Sequence, residues 1–121
     1  MRKLATLAIA AAMCLPFTAN AESWTGKLVD TRCMAMSTSN VGNDHKGGAM
    51  KGCGTACAKM GIPVALLVGN KMHVLAAPAP NFADHIGEEV TVTGQLVGGS
   101  WIMPEKAMTA SGDEIAVGAM M

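Results

Sequence analysis

Glu89-Val90-Thr91-Val92-Thr93-Gly94-Gln95-Leu96-Val97 is the clearest strand in the chain. Val90 and Val92 share one face and Thr91 and Thr93 share the other, the period-two alternation of a strand with one side in a core. Gly98-Gly99 then turns the chain into Ser100-Trp101-Ile102-Met103, which reads as a partner strand. Upstream, Val64 to Val68, the turn signal Gly69-Asn70 and Met72-His73-Val74-Leu75 read as a hairpin. Trp24-Thr25-Gly26-Lys27-Leu28-Val29-Asp30 alternates more loosely and reads as the first strand.

Two helical pieces fall between these strands. Ala49, Met50, Cys53, Ala56, Cys57 and Met60 recur at spacings of three and four, which is one face of a helix. Gly61 and Pro63 end it, while Gly52 and Gly54 each cost about 1 kcal/mol against Ala within it. Asn81 reads as the cap of a short helix over Phe82 to Ile86, ended by Gly87. The polar stretch from Thr31 to Gly48 reads as loop, and the tail from Thr109 to Met121 has no firm pattern. Five strands with a small helix between the third and fourth follow the order of an OB-type barrel. The predicted fold is therefore mainly β: a small five-stranded OB-like barrel with a cysteine-bearing helix inserted between strands 1 and 2. An open meander with that helix packed across it is the structural alternative.

The chain opens with an address. Arg2 and Lys3 precede an apolar run from Leu4 to Leu15, Pro16 breaks it, and Ala19-Asn20-Ala21 supplies small residues for a signal peptidase. The run is too short for a membrane span, which needs about 20 apolar residues. Met13 before Cys14 argues against lipid attachment. Residues 1–21 thus read as a signal peptide and residues 22–121 as one domain, periplasmic or secreted, with no membrane span in the mature protein.

Composition narrows the class. A hydrophobic fraction of 50% with only 15% charged residues excludes a disordered chain. Residues 22–121 hold seven Lys+Arg and nine Asp+Glu, a net charge of −2, so nothing attracts DNA or an anionic membrane. Trp24, Phe82 and Trp101 are the only aromatics there, too few for base-stacking platforms, and no nucleic-acid partner is expected. No Ser/His/Asp order, paired carboxylate motif or Gly-rich phosphate loop stands out. A non-enzymatic binding protein is the resulting expectation.

Gly26-Lys27-Leu28-Val29-Asp30-Thr31-Arg32-Cys33, His45, Cys53-Gly54-Thr55-Ala56-Cys57 and Gly61-Ile62-Pro63 together resemble a family of small exported bacterial proteins. Its members carry a G-x-x-x-D-x-x-C opening, a histidine, a C-x-x-x-C segment and a closing V-T-V-T-G strand like Val90 to Gly94. The resemblance spans most of the mature chain and implies an OB-like fold and export, with little chemistry. One departure stands out: His45 lies eight residues before Cys53, further than in many relatives. The stretch Gly47-Gly48-Ala49-Met50 accounts for the added length.

The cysteines carry the chemistry. Cys33, Cys53 and Cys57 remain after the leader, an odd number for an exported protein. One reading is a structural disulfide among them. Joining Cys33 to either of the others closes a loop of about 20 residues, worth roughly 3 kcal/mol, and staples the helix to the first strand. The other reading is a metal site. Three thiolates with the His45 imidazole form a Cys₃His set for zinc, and sulfur alone suits Cu(I). Met34 and Met36, one and three residues beyond Cys33, add soft thioethers to that set. Nine of the chain's 11 methionines lie outside the leader, which leaves Met1 and Met13 within it. Asp30 is a candidate cap for the turn after strand one, or an outer partner behind metal ligands.

Thiol redox chemistry fits less well. It wants a C-x-x-C pair at a helix start, whereas Cys53 falls inside the helical pattern. His73 alternates within a strand and reads as a surface or satisfied histidine. Soft-metal binding, with copper or zinc, leads. The alternatives are a structural or interaction module with a disulfide-stapled helix, and a periplasmic thiol-redox or metal-transfer partner.

Overall fold

The computed structural model describes residues 21–118. The expected leader (Ala21 excepted) and residues 119–121 lie outside the described residues.

Six strands are present among the described residues: β1 (Glu22–Asp30), β2 (Val64–Val68), β3 (Lys71–Leu75), β4 (Glu89–Val97), β5 (Trp101–Thr109) and β6 (Glu114–Ile115). Antiparallel pairs join β3 to β2, β2 to β1, β1 to β4 and β4 to β5. A short parallel pairing of β3 with β5, Val74 to Trp101 and Leu75 to Ile102, closes these five strands into a barrel. Closure removes the open edges that an isolated meander would expose. The expected OB-like barrel is therefore the observed architecture, and β6 adds a short rung on β5.

The alternation read in Glu89 to Val97 is realised. Val90 and Val92 are buried with Leu28, Leu66, Leu75, Phe82 and Ile102 in one core. Each such side chain contributes roughly 1.5–3 kcal/mol by leaving water. Thr91 and Thr93 face outward, and their hydroxyls meet those of Thr25 and Ser23 at 2.8 Å each. A 3-10 segment, Ala79–His85, lies between β3 and β4 and delivers Ala79, Phe82 and Ala83 into the same core.

Several expectations are corrected. The stretch read as loop begins with a helix, α1 (Thr31–Met36), because the Asp30 side chain caps its first turn. At six residues it is too short to leave a periodic pattern. The helix expected from Ala49 starts only at Cys53, giving α2 (Cys53–Lys59). Gly52 stands in the left-handed region at φ 64° and interrupts the helical path, while Met50 pairs back with His45 as an isolated bridge.

Asn81 does not cap the 3-10 segment, which starts after Pro78; its amide donates instead to the Ala116 carbonyl. The partner of β4 runs on to Thr109, past Pro104. It does so through a register shift at Thr93/Gly94, the kind of irregularity at which a strand tolerates proline. His73 is buried inside the barrel wall rather than surface-placed, and its Nδ1 has no protein partner.

Candidate metal centre

Two short helices bring the cysteines together. The β1 strand ends at Asp30, and α1 starts at once because Asp30 Oδ1 accepts the backbone N–H groups of Arg32 (2.7 Å) and Cys33 (3.4 Å). The end of α1 is held by Asn40, whose amide donates to the Cys33 carbonyl at 2.9 Å. The Thr31 hydroxyl donates to the Pro63 carbonyl at 2.6 Å and so ties α1 to the segment leaving α2. Cys33 is thereby fixed at the barrel rim with its side chain turned inward.

α2 supplies the other two sulfurs. Cys53 is its first residue and Cys57 follows one turn later, on the same face. The helix lies close against the barrel cap because residue 54 is glycine: a Cβ there would sit 2.4 Å from Ile86 Cγ2. Asn43 clasps the same turn. Its amide donates to Thr55 Oγ1 and its carbonyl oxygen Oδ1 accepts the Thr55 N–H, both at 2.8 Å. Asp44 Oδ1 accepts the Gly52 N–H at 2.5 Å.

The sulfurs of Cys33, Cys53 and Cys57 all lie within 4.8 Å of one another. Cys33 and Cys53 are 3.8 Å apart. Two thiolates bound at about 2.3 Å to one tetrahedral ion are themselves about 3.8 Å apart. The triangle therefore has the size of one face of a metal's coordination sphere. All three are free thiols, so the disulfide staple is not formed. One sulfur from α1 and two from successive turns of α2 form a triangle and not a bonded pair.

Burial governs their protonation. It pushes the Cys33 thiol up from 9.0 to about 12, helped by the hydrogen bond with Cys53 and by the Asp30 charge. The Cys57 thiol rises to about 11, again chiefly through burial, with the adjacent Asp30 and Cys53 adding to it. Both stay protonated near neutral pH, and the Cys33 thiol donates to Asp30 Oδ2 at 3.8 Å. Asp30 itself is 1% exposed and forms no ion pair among the described residues, where His85 with Glu88 is the salt bridge present.

The remaining expected ligands are placed differently. Met34 packs with Val29 and Ala65 in a second apolar cluster. Met36 stands 65% exposed at the end of α1. His45 is buried, yet its nitrogens fall outside the group of mutually close sulfurs. Cys53 proves to sit at the first turn of α2 and not inside it, contrary to the spacing argument used against redox chemistry.

The fold and site define a five-stranded β-barrel carrying at its rim a three-thiol cluster in which Cys33 and Cys57 are buried and Cys53 is half-buried. Comparisons with family models, curated proteins and solved structures return no match to the chain. No helix of the described residues is long and apolar enough to cross a membrane.

Proposed function

We propose that this is an exported soft-metal-binding protein that holds copper or zinc through Cys33, Cys53 and Cys57. The observation that carries the reading is the convergence of three thiols within 4.8 Å at a rigidly tethered rim. Three sulfurs in a triangle of this size match the ligand type and spacing of a thiolate-bound ion. The raised pKa values of Cys33 and Cys57 make these two thiols poor nucleophiles, since redox catalysis works through an accessible thiolate of lowered pKa. A metal ion displaces the thiol protons that burial otherwise retains.

Metal content and thiol titration test this directly. Purified, metal-free protein should show three titratable thiols in residues 22–121 and take up one equivalent of Zn²⁺ or Cu(I). Loading should protect those thiols, and a strong chelator should expose them again. Cys57→Ala should abolish stoichiometric uptake. Thiols that stay equally reactive with and without metal would refute the proposal.

A further inference from the structure

We propose that His45 is the fourth ligand of this centre and that the completed Cys₃His set takes zinc. This rests on the metal-binding reading above and adds coordination number and ion to it. His45 is 4% exposed, and neither Nδ1 nor Nε2 has a hydrogen-bond partner. Buried polar side chains are almost always bonded, and an exception needs an explanation such as an ion. An imidazole with both nitrogens idle in a buried position is a standing destabilisation of the metal-free fold.

The backbone places residue 45 next to the helix that carries two of the sulfurs. The His45 N–H and the Cys53 N–H donate to the same acceptor, the Met50 carbonyl, at 3.4 and 3.3 Å. Those two nitrogens are therefore no more than 6.7 Å apart. The chain between them turns through Lys46, Gly47 and Gly48, all at positive φ. This turn returns Met50 to His45 as a bridge and seats His45 beside the start of α2. Asn43 and Asp44 fasten the segment to Thr55 and Gly52, so residue 45 cannot drift from the site. In the proposed centre the imidazole turns toward the sulfur triangle from a backbone that flanks Cys53. Three thiolates and one imidazole are a closed tetrahedral set of the kind structural zinc sites use.

The test compares the wild type with His45→Leu, using Zn²⁺ for affinity and Co²⁺ as a spectroscopic stand-in. The wild type should give the intense visible bands of tetrahedral Co²⁺. In the variant these bands should weaken and shift while sulfur-to-cobalt charge transfer persists. Zinc affinity should fall at least about 100-fold, as loss of a ligand exceeds the loss from an outer partner. The metal-free variant should melt no lower than the wild type, because an apolar group replaces an unpaired buried one. That separates ligand loss from misfolding. Unchanged Co²⁺ bands and zinc affinity in His45→Leu would overturn the role of His45 while leaving three-thiol binding intact. A wild type that binds no metal at all would overturn both.

Discussion

Asp30 and Cys33 are joined twice: Oδ1 accepts the Cys33 backbone N–H at 3.4 Å, and Oδ2 accepts its thiol at 3.8 Å. One carboxylate thus starts the helix and orients the sulfur that the helix carries. The two duties separate by substitution. Asp30→Asn keeps an oxygen for the cap but removes the charge, so α1 should persist while the Cys33 and Cys57 thiols titrate at lower pH. Alkylation rate against pH should shift downward, though burial keeps both above the ordinary thiol value. Asp30→Ala should in addition cost about 1 kcal/mol through loss of the cap. An unchanged alkylation profile in Asp30→Asn would show that the carboxylate does not govern the thiols.

Metal uptake should depend steeply on pH. Cys33 and Cys57 hold their protons up to about 12 and about 11, so both must release them to bind an ion. Between about pH 6 and pH 8 the apparent zinc affinity should rise by roughly two orders of magnitude per pH unit or more. Titrations against a competing chelator at several pH values check this. A slope near zero would mean that the ion does not displace these protons.

The same shifts affect the metal-free fold with a definite sign. Both thiols have folded pKa values above the 9.0 of a free thiol, so the unfolded chain gives up its protons first. The thiols' contribution to stability is intact below about pH 9 and should fall as pH rises from there towards 11 to 12. Urea melts across that range should show the loss, and zinc loading should remove it. A metal-free protein as stable at pH 11 as at pH 8 would contradict the assigned shifts.

The fold was legible where burial imposes a period. Val90 and Val92 against Thr91 and Thr93 marked one inward face, and Gly69-Asn70 marked the β2–β3 hairpin, whose turn glycine has φ 60°. Thr31 to Met36 was not legible, since a six-residue helix held by one carboxylate has no periodic signature. The start of α2 at Cys53 is not legible in the sequence, because Ala49 and Met50 continue the apolar spacing by chance. Their backbone is committed to a turn by positive φ at Gly47, Gly48 and Gly52. The three cysteines were legible as residue types, but their convergence was not. It depends on Gly54 allowing close packing and on Asn43 clasping Thr55, and neither contact is written in the cysteine spacing.

The strand that defined the fold offers a direct check on its faces. Val92 is fully buried in the barrel, so Val92→Asp places an unpaired charge in the core and should cost several kcal/mol, about 3 or more. Thr91 points outward, and Thr91→Asp should cost about 1 kcal/mol or less, mainly the lost hydroxyl pairing with Thr25. Chemical denaturation of the two variants compares them. Equal losses would contradict the register of β4.

His73 sets the behaviour of the barrel in mild acid. It lies on β3 opposite Leu66 and is 6% exposed, with its ring 6.4 Å from that of Trp24. Burial lowers its pKa below 6.5, and Lys71, two residues earlier on the same strand, lowers it further. The neutral ring is therefore the folded form, whereas the unfolded chain accepts the proton near pH 6.5. Stability from this group is complete above that value. It is lost progressively as pH falls below it, until the folded protein can be protonated as well. The effect lies above the range in which ordinary carboxylates titrate, so it can be separated from their contribution. Thermal melts of metal-free protein from about pH 8 to pH 5 should show a drop that begins near pH 6.5 and is absent in His73→Leu. The substitution removes an unpaired Nδ1 from the interior as well, so the variant should be no less stable than the wild type at pH 8. An identical acid slope in both proteins would remove His73 as the cause.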